Sequence, residues 1–72
     1  MGLIWQDARE IGELLLENYD TLDPRTVRLP DLRNWVLNLE DFAGKPDDAD
    51  ERALEAIRQA WYLEWKDEFG HE

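Results

Sequence analysis

Between Leu32 and Leu39 the apolar residues Leu32, Trp35, Val36 and Leu39 fall at i, i+3, i+4 and i+7. That spacing puts one apolar stripe along an α-helix, whereas strand side chains alternate with a period of two. Two more segments share the pattern. Ala8, Ile11, Leu15 and Tyr19 form one stripe, with Leu14 beside it. Leu54, Ile57, Trp61 and Trp65 form another, and Ala53, Ala56 and Ala60 allow close approach of a neighbour. Three amphipathic helices must bury their stripes against one another. The expected fold is therefore all-α: a small three-helix bundle, with a helix, turn, helix, loop, helix order compatible with a winged-helix-like topology.

Local signals set the expected boundaries. "DARE" reads as a capping box in which Asp7 accepts from backbone N–H groups and Glu10 reaches back. The first helix should fray between Asn18 and Asp20. Asp23-Pro24 resembles a cap followed by a first helical position, so a short turn is expected there. Val27 to Leu29 suits a brief extended piece, the only β structure expected. Leu29 precedes a proline, which disfavours helix at that residue, so Pro30 and Asp31 should open the second helix. That helix should end near Phe42, before Gly44 and Pro46. Asp50 should cap the third helix, which should run towards Phe69 and Gly70. We expect one domain over residues 1–64, with residues 65–72 forming the end of the third helix and a frayed C-terminal extension.

A chain of 72 residues buries proportionally little surface, and folds of this size often need disulfides, a metal or a partner. Cysteine is absent, so four Trp, two Tyr and two Phe are the expected compensation. Without cysteine the chain has no thiolate nucleophile, no persulfide carrier and no sulfur ligand for a cluster. The only histidine is His71, which excludes a Cys/His zinc site. There is no nucleophile–base pair and no glycine-rich phosphate loop, so we read the chain as a non-enzyme. No long apolar run marks a membrane span, and the start lacks the pattern of a signal peptide. A cytoplasmic monomer is expected.

Charge narrows the partners. Eighteen acids against eight bases give a formal net charge of -10. Nucleic acid and anionic membranes repel such a surface, whereas basic proteins and cations are attracted. The middle helix has Arg33 as its only base, so a winged-helix analogy does not imply DNA binding. The acids fall into groups with different explanations. Asp47, Asp48 and Asp50 suit a turn and the start of the third helix. "DDADERALEAI" lacks the glycine of a calcium loop. Asp7, Glu10, Glu13 and Glu17 form a stripe with Arg9 as the close base, at a cost of roughly 0.2–0.5 kcal/mol per like-charged pair. Glu40 and Asp41, expected at the end of the second helix, oppose its dipole and are not explained by local stability. Such acids form a solvated face, a docking surface for a basic partner, or a loose oxygen-ligand site for a hard divalent ion such as Fe²⁺, and for Glu40 and Asp41 a salt bridge to a nearby Arg is an equal alternative. Trp35, Trp61 and Trp65 are expected in the core, and Trp5 against the first helix.

"MGLIWQDAREIGELL", "LDPRTVRLPDL", Trp35, "LEDF", "LEAI" and Trp61 together resemble the IscX family, small acidic accessory proteins of bacterial iron–sulfur cluster assembly. The similarity runs from Met1 to about Glu64. It implies a helical, winged-helix-like fold and a role beside the cysteine desulfurase that supplies sulfur. It implies docking on that enzyme through acidic surface, with regulation of assembly or iron donation as the outcome. The matching acids are Asp7, Glu10, Glu13, Asp31, Glu40 and Asp41, and Glu17 extends the stripe as a further candidate. Glu10, Glu13, Glu40 and Asp41 are the candidate ligands for weakly held Fe²⁺, and no tightly bound cofactor is implied. Trp5, Arg9, Arg28 and Trp35 also match, as structural residues. After "LEDF" this chain carries Ala43, Gly44 and Lys45 where relatives often have further aspartates.

Overall fold

The computed structural model describes residues 2–69. Three α-helices make the fold: α1 over Ala8–Asn18, α2 over Leu29–Leu37 and α3 over Glu51–Phe69. Single 3-10 turns at Pro24–Thr26 and Pro46–Asp48 lie in the two connections. The all-α class and the three helices are as expected. No strand forms among the described residues beyond one parallel bridge, between Leu3 and Phe42. The hairpin wing of a winged helix is therefore not formed by the described residues.

The buried core is Trp5, Ile11, Leu15, Val27, Leu32, Val36, Leu54, Ile57 and Trp61. It draws on the apolar stripes of all three helices, as their periodicity requires. Both α1 and α2 pack on α3. At the centre Trp61 is wholly buried. Its ring meets Trp35 edge-on at 6.3 Å and Tyr19 at 6.4 Å. Its indole Nε1 has no hydrogen-bond partner among the described residues. An unmade buried bond costs about 1–3 kcal/mol, so packing must outweigh that loss here.

The approach of α1 to α3 depends on Gly12. A Cβ there would lie 2.8 Å from the Trp61 backbone nitrogen and 3.0 Å from the Ala60 carbonyl carbon. Both are backbone atoms of α3, so neither moves aside without shifting the helix. Glycine in a helix interior costs about 1 kcal/mol against alanine, and the contact it permits offsets that cost.

Three local readings are corrected. Asp7 precedes α1, but its carboxylate makes no cap bond to the helix. It accepts instead from the Ile4 N–H at 3.0 Å, closing the turn that feeds Trp5 into the core. The second correction concerns the start of α2. It begins at Leu29, because the extended residue Arg28 accepts the first helical bond, from the Leu32 N–H at 2.9 Å. Pro30 then occupies a first-turn position where an N–H has no intrahelical partner anyway. Backbone extension before the helix is confined to Val27 and Arg28. The third correction concerns its end. α2 stops at Leu37 with Asn38 as its C-cap. Leu39 and Phe42 continue the helical spacing, yet the chain turns there because Phe42 is captured by the bridge to Leu3.

Other local signals appear as read. Asp23 accepts from the Arg25 backbone N–H at 2.9 Å. Asp50 accepts from the Ala53 N–H at 2.8 Å and so caps α3. α3 continues through residues 65–69 without a break. The frayed end expected beyond them lies outside the described residues.

Two outcomes follow. Gly12→Ala should lower stability by about 1–3 kcal/mol, the usual cost of overpacking, despite alanine's better helix propensity. Urea unfolding followed by tryptophan fluorescence would show this, and an unchanged or raised midpoint would refute the close contact. The second concerns pH. Arg25 bonds the Asp23 carboxylate through side chain and backbone and holds it below its ordinary 3.8. A lowered folded-state value means that the turn's stabilisation is present above the ordinary aspartate range and is lost as pH falls through Asp23's own value. An NMR titration of the Asp23 carboxylate carbon should show the depressed midpoint, and Arg25→Gln should raise it towards the ordinary range, leaving only the backbone N–H contribution.

Candidate functional site

The N-terminal segment and the acidic loop after α2 are built as one unit. Leu3 N–H donates to the Asp41 carbonyl at 2.7 Å, and Ala43 N–H donates to the Leu3 carbonyl at 2.7 Å. The Trp5 indole N–H donates to the Lys45 carbonyl at 2.6 Å. The Trp5 ring meets Phe42 edge-on, 4.6 Å between centroids. Gly44 lies against both rings: a Cβ there would come within 3.1 Å of Trp5 Cδ1 and closer still to the edge of Phe42. Arg33 adds a bond of 3.3 Å from Nη2 to the Pro46 carbonyl. Residues 41–46 are therefore pinned by their backbone.

This arrangement gives Ala43-Gly44-Lys45 a structural explanation. Gly44 is the residue that fits under the Trp5–Phe42 pair. Lys45 contributes its carbonyl to the clamp.

Pinning the backbone leaves Glu40 and Asp41 exposed in the turn after α2. They line an open groove of about 340 Å³ with Leu14, Asn18, Tyr19, Trp35, Asn38 and Leu39. One wall comes from the second half of α1, the other from the end of α2 and the loop. In the groove Tyr19 stacks on Trp35 at 4.7 Å with 21° between the rings. On α1, Glu10 precedes Leu14 by four positions and Glu17 follows it by three, so both lie on the Leu14 side of the helix. Glu10 and Glu17 are exposed. The folded chain thus places Glu40 and Asp41 in one aromatic-floored groove, with Glu10 and Glu17 on the same side of α1 as its lining residue Leu14.

The other candidate acids have other surroundings. Glu13 is paired with Arg9 at 3.7 Å on an exposed surface, a pair of small energetic weight. Asp7 is half-buried and committed to Ile4. Asp31 is exposed in the first turn of α2, where a carboxylate complements the helix dipole.

The bases do not cancel this acidity. Arg33 and Arg58 donate to backbone carbonyls, of Pro46 and Val27. Arg25 is bound to Asp23 at 2.7 Å, away from the groove. The two ion pairs among the described residues are Arg9–Glu13 and Arg25–Asp23. Neither involves Glu10, Glu17, Glu40 or Asp41.

A metal site asks for more than acidity. Hard divalent ions need several oxygen ligands converging at bonding distance. Among the described residues no group of three or more His, Asp or Glu side chains is placed to hold a metal ion. Glu10 and Glu13 on α1 and Glu40 and Asp41 in the loop do not make a preformed chelate for Fe²⁺.

Sequence reasoning missed Asn18, Asn38 and the Tyr19–Trp35 floor. Their joint signal is tertiary, since α1 and the loop are brought together only by folding. Trp5→Phe keeps the edge-on ring contact but removes the indole N–H. It should cost about 0.5–1.5 kcal/mol and accelerate amide exchange at Leu3 and Ala43. Hydrogen exchange read by NMR tests this. Unchanged exchange at Ala43 would mean that the indole bond does not hold the loop.

Two comparisons with known proteins bear on the whole chain rather than on this groove. A family model described as iron–sulphur cluster assembly matches residues 3–66. An uncharacterized protein of Pseudomonas aeruginosa is 44% identical over 64 residues, covering 89% of this chain and 97% of that protein. Among the described residues no helix is long and apolar enough to cross a membrane.

Proposed function

The chain belongs to the IscX family of iron–sulphur cluster assembly proteins, and from that premise we propose that it is a non-catalytic cytoplasmic adaptor that docks on a cysteine desulfurase and modulates sulfur supply to the assembling cluster. The observation that carries this reading is the pair of exposed acids Glu40 and Asp41 lining the Tyr19–Trp35 groove, with exposed Glu10 and Glu17 on the Leu14 side of α1 and none of the four in an ion pair among the described residues. A basic patch of the enzyme complements that charge. Long-range attraction steers the encounter, and the groove offers apolar and aromatic surface for the stems of lysine or arginine side chains. Because α1 and the pinned loop hold their positions before binding, little backbone ordering is required on contact.

Binding of this kind is salt-sensitive, since exposed charges are screened over about 8–10 Å at ordinary ionic strength. Ferrous iron enters this reading as a weakly held ion that competes for the same carboxylates, with carriage of iron as the alternative role. Among the described residues no set of carboxylates converges as a preformed chelate, so docking is the leading reading and carriage the alternative.

The test is calorimetric titration of the protein into the cysteine desulfurase of the same organism, at low and high salt, with and without Fe²⁺. Docking predicts binding without iron that weakens as salt rises. The double reversal Glu10→Lys with Glu40→Lys should weaken it by at least about tenfold at low salt, and the loss should shrink at high salt. Equal affinity of the reversed and native proteins would remove this groove from the interface. Binding that appears only with Fe²⁺ would make iron carriage the primary role.

A further inference from the structure

A second polar concavity shares no lining residue with the acidic groove. Arg25, Arg58, Gln59 and Tyr62 line an open cavity of about 290 Å³. All four carry hydrogen-bond donors and none is acidic. In a chain with a net charge of -10, two of the eight bases meet at this one place.

Both guanidiniums are held in position. Arg25 lies over the Tyr62 ring at 5.3 Å and the Trp65 ring at 5.9 Å. Asp23 grips it through Nε at 3.1 Å and Nη2 at 2.7 Å. Arg58 donates one Nη1 hydrogen bond to the Val27 carbonyl at 3.2 Å, and its Nε and Nη2 are not committed to any described residue. An arginine already fixed by stacking or a backbone tether loses less freedom when it takes up a ligand.

The charge balance selects the ligand. Two guanidiniums and the Asp23 carboxylate leave one net positive charge, which a monoanion neutralises. A dianionic phosphate would add excess negative charge to an already acidic molecule. The arginine fork suits the two oxygens of a carboxylate, with the Gln59 amide and Tyr62 hydroxyl as neutral donors beside it. The cavity is too open to enclose a free small anion, so affinity must come from contacts outside it. Leu63 supplies such a surface: it is 52% exposed, next to Tyr62 and one turn on from Gln59.

We propose that this pocket is a second docking point, which accepts an aspartate or glutamate side chain of a partner polypeptide while an apolar neighbour of that residue covers Leu63. The proposal makes no use of the acidic groove, so the two readings fail separately.

The probe is N-acetyl-Leu-Glu-amide, titrated into the isotope-labelled protein at constant ionic strength and followed by NMR. N-acetyl-Leu-Gln-amide, sodium acetate, inorganic phosphate and sodium chloride are run in parallel. The expected result is saturable movement of the Arg58 Nε–H, the Gln59 side-chain amide and the backbone of residues 58–63 with the glutamate peptide. Acetate should give the same pattern at lower affinity, and the glutamine peptide and chloride should not give it. Arg58→Lys keeps the charge but loses the fork and should weaken binding about tenfold. Tyr62→Phe keeps the ring under Arg25 and should weaken it about threefold. It serves as the independent variant if Arg58→Lys disturbs the Val27 tether. Equal response to the glutamine peptide or to chloride overturns the site. Tighter binding of phosphate than of the glutamate peptide overturns the polypeptide carboxylate as its ligand. Full affinity in both folded variants overturns the assignment of these residues.

Discussion

At Gly12 the backbones of α1 and α3 approach so closely that one added carbon would meet two backbone atoms of the facing helix. That contact sets the depth at which α1 sits, and the depth brings Ile11 and Leu15 into the core with Ile57 and Trp61. It also fixes how far Leu14 and Tyr19 stand from the loop that forms the other wall of the acidic groove. A wider spacing would leave voids that apolar side chains cannot fill at interior density. With no disulfide available, the whole arrangement rests on this packing and on the aromatic cluster of Tyr19, Trp35 and Trp61.

The distribution of charge follows from how the arginines are used. A small acidic protein could spend its few bases neutralising its many acids. Here Arg33 and Arg58 are spent on backbone carbonyls of connecting segments, where they hold loop against helix. Exposed ion pairs contribute little to stability, so little is lost by leaving surface carboxylates unpaired. The result is a surface whose carboxylates outside the two described ion pairs keep their negative potential.

Much of this was legible before any coordinates. Helical periodicity located all three helices and nearly all of the core, because burial of one face leaves a direct imprint on residue spacing. Asp23 and Asp50 were legible as caps because a cap is a local interaction spanning two or three residues. Asp7 misled, since its carboxylate had two backbone donors within reach and took the earlier one at Ile4. The end of α2 misled for a different reason. Leu39 and Phe42 keep the helical spacing, and only a partner 39 residues away in the chain, Leu3, draws Phe42 out. At the candidate site the acids themselves were legible as unexplained charge. The placement of Glu40 and Asp41 beside Tyr19 and Trp35 was not, because α1 and the loop meet only in the folded chain.

The position of α3 as the common support for α1 and α2 has a consequence for how the molecule assembles. The ribosome makes the two helices that need a support before it makes the support. Each is short and amphipathic, and an isolated helix of 9 or 11 residues is marginal in water. Neither can bury its stripe until Ile57 and Trp61 have been synthesised. The stripes of α1 and α2 therefore stay unburied until α3 has been made. Closure of the three helices, with the N-terminal segment docked on its loop, waits for that point.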